Sequence, residues 1–297
     1  MRRSKLSLFL AFCVLTVTLA AGCGGATPSS SSSTEPASAD APSGANLAAD
    51  AFAAVKEAGS AHFVLDATVN ARGPAAAMAG DGPVRLQLAG DASADELAVD
   101  VKLDFSGQSF AAAVLANRQE LFIRFLNRWY GERDLKLPER SEEERDRFER
   151  DFGTPEGLRR NFDRVFTGTV LAGPVVEGVE TWKFRGSLNV DGILELAEEY
   201  GGDAMKPEER AKLESLAEVV HFQFTAGQED HLPRSYSMDV DLGAGDLEEL
   251  GQAQSLDSVD LHIAVTLSDF GKDVSYERPA EYEPLEKLFE SLFSGIG

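Results

Sequence analysis

The feature that most constrains this chain is a strict two-residue alternation of apolar and polar side chains, repeated in segment after segment. Phe63, Leu65, Ala67 and Val69 alternate with Val64, Asp66, Thr68 and Asn70. The same one-sided pattern recurs at Val84 to Leu88, Leu97 to Phe105, Phe110 to Leu115 and Leu121 to Phe125. It returns at Thr169 to Val176 and at Thr181 to Val190, where Trp182, Phe184 and Leu188 share a face. The cleanest set is last: Phe222 and Phe224; Tyr236, Met238, Val240 and Leu242; and Val259, Leu261, Ile263, Val265 and Leu267. Period two places successive side chains on opposite faces of a strand, so each segment predicts a strand apolar on one side only. About ten such strands cannot stay a flat open sheet, because sheets twist and curl as strands are added. The expected fold is therefore α+β: a curled antiparallel sheet, a half-barrel, with helices on its concave face.

The helices are read from the other period. Leu47, Ala51, Val55 and Ala58 fall at helical spacing and Gly59 stops them. Ser141 and Glu144 form a capping box ahead of a charged, solvated stretch with Glu143–Arg147 and Asp146–Arg150 as i,i+4 pairs. Thr154 and Pro155 open a helix whose Leu158, Phe162, Val165 and Phe166 make one stripe. Further helices are marked by Ile193, Leu194, Leu196, Ala197 and Tyr200, and by Leu213, Leu216, Ala217 and Val220 after Pro207. Leu285, Leu288, Phe289, Leu292, Phe293 and Ile296 mark the last. No shift in composition divides Asn46 to Gly297, so residues 46–297 are one expected domain.

The first 45 residues have a different character. Arg2, Arg3 and Lys5 precede an uncharged apolar stretch, Leu6 to Thr18, and then the small residues Ala20, Ala21 and Gly22. That is the pattern of a secretory signal over residues 1–22, too short for a comfortable membrane span. Leu19, Ala20, Ala21, Gly22 and Cys23 resemble the bacterial lipobox, which implies lipidation of Cys23 as the mature N-terminus. Residues 23–45 are the lipidated cysteine and a tether, with serine at every position from Ser29 to Ser33. As a flexible coil the tether spans about 25 Å on average. The implied location is the outer leaflet of a bacterial plasma membrane, facing the envelope.

Composition narrows the function. The formal charge is −22, and loss of three signal-segment cations leaves −25. A surface this acidic repels polyanions, so nucleic acid is excluded as a partner and membrane attachment has to be hydrophobic. Cys13 and Cys23 are the two cysteines, which leaves the folded part without disulfides or thiolate chemistry. His62, His221, His231 and His262 show no metal-ligand spacing and read as strand-surface residues; no cofactor is implied. Gly107, Gln108, Ser109, Phe110 and Ala111 imitate a nucleophile elbow but have strands on both sides, the context of a hairpin. Asp239, Asp241 and Asp246 fail the calcium-loop count, which sets Ala244 at the glycine position and Leu250 at the glutamate position. Residues 243–254 read as a solvated acidic loop. No nucleophile, base and orienting group assemble, so the chain is expected not to be an enzyme.

The order of a lipidated cysteine, a tether, a helix, strands, a helical excursion and strands again resembles the LppX/LprG group of actinobacterial lipoproteins, in the superfamily of LolA and LolB. The stretch Val176 to Gly186, Leu232 and Pro233 in a turn, and Ser268 to Gly271 at a strand end carry the resemblance. It implies a half-barrel around an apolar cavity that holds a lipid or acylated glycolipid cargo and carries it between membrane sites, with room for a membrane lipid transporter as partner. By alternation, the expected cavity lining is Phe63, Leu65, Val101, Leu103, Leu121, Ile123, Trp182, Phe184, Phe222, Phe224, Met238, Val240, Leu261, Ile263 and Val265. The alternative is a surface-anchored scaffold or interaction lipoprotein with a fully packed core and no cargo.

Overall fold

The computed structural model describes residues 41–74, 76, 82–134, 142–200, 205–249 and 256–293. The signal segment, Cys23, nearly all of the tether, Ser141 and Ile296 lie outside them. The tether gives way to structure slightly earlier than expected. Ser43 Oγ accepts a hydrogen bond from the Asn46 N–H at 3.2 Å and caps helix α1, Gly44–Ala58. Gly59 ends it at φ +79, a left-handed conformation that glycine adopts without a Cβ penalty.

Six strands follow as a meander: β1 (Ser60–Arg72), β2 (Val84–Ser93), β3 (Glu96–Phe105), β4 (Gln108–Asn117), β5 (Glu120–Phe125) and β6 (Arg128–Arg133). Helices α2 (Glu142–Phe152) and α3 (Pro155–Val165) come next, and the Thr154 hydroxyl caps α3 by accepting from the Gly157 N–H at 3.1 Å. Strands β7 (Phe166–Ala172) and β8 (Thr181–Leu188) lead to helices α4 (Val190–Glu199) and α5 (Pro207–Val219). A second meander closes with β9 (Val220–Gly227), β10 (Pro233–Leu242), helix α6 (Ala244–Glu249) and β11 (Ser258–Ser268). A two-residue β12 (Glu283–Pro284) precedes α7 (Leu285–Phe293).

All twelve strands form one curled, unclosed sheet in the order β12-β6-β5-β4-β3-β2-β1-β11-β10-β9-β8-β7. Every pairing is antiparallel except the short β12–β6 contact. The two meanders join at a single ladder, β1 with β11, running from His62↔Ser268 to Arg72↔Ser258. Tight turns at Ser106–Gly107, Leu126–Asn127 and Glu177–Gly178 each hold two successive residues at positive φ, the geometry that matches the twist of a hairpin.

The expected half-barrel is present, with two more strands than the roughly ten anticipated. β6 escapes the alternation test because its six residues, Arg-Trp-Tyr-Gly-Glu-Arg, carry three charges, and β12 is too short to show a period. Two further expectations are corrected. The segment read as a solvated acidic loop begins with α6, where Asp246 accepts from the Gly243 N–H at 2.8 Å and Leu247 is buried. The charged helix α2 is not wholly solvated, because the Phe148 ring packs on Phe152 and Phe152 on Tyr200. As anticipated, the Gly107–Ala111 stretch is a hairpin, with Ser109 in β4 opposite Asp104 of β3. His62, His221 and His262 lie on strands; His231 lies in the β9–β10 turn.

Candidate functional site

Direct cross-strand partners in an antiparallel sheet point to the same face, so the register decides which side chains share a surface. One row of partners runs Val170, Phe184, Phe224, Tyr236, Val265, Leu65, Leu88, Val101, Ala112, Phe125, from β7 across to β5. Its neighbour runs Phe222, Met238, Ile263, Ala67, Leu86, Leu103, Phe110. Two strides further along the strands lie Val240, Leu261 and Val69 on one side and Leu267, Phe63, Val99, Val114 and Ile123 on the other, joined through Gly90. All fifteen residues expected from alternation fall on this one apolar face.

The helices divide that face unequally. Over β7 to β10, Ala45, Leu47 and Ala51 of α1 and Phe162 of α3 pack against Val170, Phe184, Phe222, Phe224 and Ala226. The aromatic rings there are close: Phe162 meets Phe184 edge-on at 5.1 Å between centroids, and Phe166 stacks on Phe222 at 4.9 Å. Arg159 of α3 locks the two helices together through Asn46 (2.8 Å) and Asp50 (3.3 Å) of α1. Of the remaining helices, α5, α6 and α7 lie against β5, β6, β8, β9, β10 and β12 while α2 and α4 pack chiefly on other helices, and among the described residues no helix rests substantially on β2, β3, β4 or β11.

Burial follows that division. Phe63, Leu65, Phe184, Phe222, Phe224 and Val265 are buried and have the contacts of core side chains. Val101, Leu103, Leu121, Ile123, Trp182, Met238, Val240, Leu261 and Ile263 stay half-buried. Eight of these nine lie on β3, β5, β10 and β11; Trp182 alone flanks the aromatic cluster. The result is an apolar trough, floored by sheet and walled at one side by α1, α3 and their aromatic cluster.

The expected cavity lining left out one residue of interest. Tyr236 stands at the boundary between the packed and open parts, stacked on Phe224 at 5.6 Å and touching the Leu65–Val265 cluster. Its hydroxyl has no hydrogen-bond partner among the described residues, and burial pushes its pKa well above the ordinary tyrosine value. It therefore stays a protonated donor on an otherwise apolar surface. The available signal was its place in the alternation, as the one phenol on a strand of apolar partners.

The opposite face is polar and internally paired. His62 contacts Asp91 at 2.7 Å, His262 contacts Asp239 at 2.5 Å, and Gln87 donates to Asp66 at 2.6 Å. A shallow cleft of mixed character between α5 and β7–β8 is lined by Thr167, Arg185, Ser187, Glu214, Glu218 and His221 together with Leu188, Val190 and Ala217. Near β5 this face becomes apolar: Phe122 is fully buried, its ring edge-on to Tyr282 at 5.0 Å. Among the described residues no three His, Cys, Asp or Glu side chains converge as metal ligands, and no helix is long and apolar enough to cross a membrane.

No protein-family profile matches this sequence. No curated protein matches it either. Among solved structures it is similar to the lipoprotein LppX of Mycobacterium tuberculosis, at 14% identity and a TM-score of 0.39, over 78% of this chain and 98% of that one. It is similar to LprF of Mycobacterium bovis at 12% identity and a TM-score of 0.41, over 81% and 100% of the two chains. A DUF1329 family protein from Desulfovibrio piger matches at 8% identity and a TM-score of 0.26, over 79% and 93%.

Proposed function

We propose that this chain is a cell-envelope lipoprotein, anchored through a lipidated Cys23, that binds a lipid or acylated glycolipid in the trough and carries it between membrane sites. One observation carries the reading: a continuous apolar face over β2, β3, β4 and β11 that no described helix substantially covers and most of whose side chains remain half-buried, Val99, Val265 and Leu267 excepted. Leaving that surface to water costs free energy at about 25 cal/mol per Å², which an occupant of the right chemistry recovers. An acyl chain suits it, since each buried methylene contributes about 0.8 kcal/mol and needs no hydrogen bond. The Tyr236 hydroxyl supplies one donor for an ester carbonyl or sugar hydroxyl beside the chain. The lipobox-like residues and the tether support the same reading, because a tethered carrier works at a membrane surface.

The test adds volume where a carrier and a packed scaffold differ. Val101→Trp and Ile263→Trp enlarge half-buried side chains of the trough floor, whereas Val265→Trp enlarges a side chain already packed on Leu65. The first two are expected to keep their thermal stability while the lipid recovered per protein falls. The third is expected to lose about 1–3 kcal/mol through overpacking. If all three are destabilised and the native protein yields no lipid on extraction and mass spectrometry, the scaffold reading takes the carrier's place.

A further inference from the structure

Of the four most exposed large apolar side chains among the described residues, three gather at one rim of the sheet: Leu126 at 76%, Phe105 at 40% and Phe110 at 39%. Leu126 is in the β5–β6 turn, and Phe105 and Phe110 flank the β3–β4 turn. The register Ala112↔Phe125 sets these two hairpin tips side by side. Phe105 ends β3 on the same face as Leu103 and Val101, and Phe110 pairs with Leu103, so the rim is the lip of the trough.

Leu126 is poorly explained by stability. It adopts φ +48 with Asn127 at +61, a turn in which asparagine or glycine is favoured at both positions and a large L-residue is disfavoured. The same residue also holds a whole isobutyl group in solvent. An Asn or Asp there would relieve both costs, and an outlier of this kind points to use rather than to folding. Cations surround the tips: Lys102, Arg124 and Arg128 stand within a few residues of the turns, partnered by Asp104 (3.1 Å), Asp100 (3.6 Å) and Glu283 (3.6 Å). In a chain of net charge −22, this is a locally balanced collar.

We infer that this rim docks on a lipid surface, with Leu126, Phe105 and Phe110 entering the acyl region and the Arg and Lys side chains remaining at headgroup level. The inference rests on the trough reading for its purpose: cargo leaving the bilayer passes from acyl chains to the lip and onto the trough floor without crossing water. A protein partner fits poorly, because a stable protein interface needs roughly 800 Å² per side and two hairpin tips do not supply it. Shallow insertion into a bilayer needs only a few apolar side chains ringed by cations.

The chain has two tryptophans, Trp129 and Trp182, and Trp129 sits beside the Leu126 turn, paired with Arg124. The lipidated full-length protein carrying Trp182→Phe therefore reports on the rim alone. On phosphatidylcholine vesicles brominated in the acyl chains, its fluorescence is expected to be about twofold lower than on unbrominated vesicles. Adding Leu126→Asp should restore the signal, with unchanged or raised Tm since Asp tolerates the left-handed turn. Absence of quenching overturns the inference. Equal quenching with Leu126→Asp also overturns it, because the bromine then reaches Trp129 from bound cargo or from proximity of the anchor. Lipid extracted from the native protein tests the trough separately: lipid bound without quenching removes the rim alone, and quenching without lipid removes the carrier reading alone.

Discussion

Asp151 is where the helical excursion is tied together. Its carboxylate accepts from Tyr200 Oη at 2.9 Å and Arg150 Nε at 3.2 Å, with Arg160 at 3.8 Å and Arg147 at 4.0 Å. Burial opposes its charge, but the hydrogen bonds from Arg150 and Tyr200 and the surrounding guanidinium groups outweigh it and hold the carboxyl below its ordinary value. Tyr200 moves the other way: burial first, then its bond to Asp151, push the phenol up to about 12. The signs give opposite pH windows. A depressed carboxyl contributes fully above the unfolded pKa, about 4, and loses that contribution as pH falls through the lower folded value. The raised phenol contributes fully below its unfolded pKa and loses that as pH climbs towards the folded one. Asp151→Asn is therefore expected to cost on the order of 1–3 kcal/mol at pH 7. Its deficit in urea unfolding should shrink towards zero below pH 4; a deficit constant into acid would sink this account.

At the scale of elements, the segment after β11 works as a strap. The Gly271 N–H bonds the Ser60 carbonyl at 3.0 Å, Arg278 pairs with Glu120, and Tyr282 covers Phe122 before β12 lies down beside β6. Helix α7 completes it by burying Leu288 against the β5–β6 end. Removing Leu285 to Gly297 is expected to cost several kcal/mol by uncovering apolar surface at about 25 cal/mol per Å², read as an earlier thermal transition; an unchanged transition would mean that α7 does not hold this edge. The amphipathic stripe of α7 was plain in the sequence, and so was the shared face of all fifteen trough and core residues, because parity along a strand is written in the residues themselves. Which of those fifteen would be covered was not. An apolar stripe shows that a helix buries one face, but Phe162 carries no mark saying it covers Phe184 rather than Val101. The strap was equally silent, since Tyr282 and Arg278 hold by single contacts without a period. Phe122 did leave a trace: Leu121, Phe122 and Ile123 are apolar in succession, the sign of a strand covered on both faces.

At the scale of the whole molecule, the net charge of −22 means that the anchor proposed at Cys23 has to be hydrophobic. Cys23→Ala is expected to move the protein from the membrane to the soluble fraction, because three rim side chains give only transient contact where two acyl chains hold firmly. Continued sedimentation with membranes would reveal a second anchor. The ladder between β1 and β11 has a further consequence, for folding kinetics. Apart from the two-residue β12–β6 contact, every other pairing joins strands consecutive in sequence with at most two helices between them, whereas this one joins residues 62–72 to residues 258–268. Loop closure over such a distance is slow relative to hairpin formation. The first meander can zip from its turns while the outer edge of β1 stays open until almost the entire chain is available. During that interval β1 is a long strand with unpaired amides and carbonyls, able to pair with the same strand of another copy. The seam that makes the two meanders one sheet is thus also the step at which nascent chains compete between self-closure and aggregation.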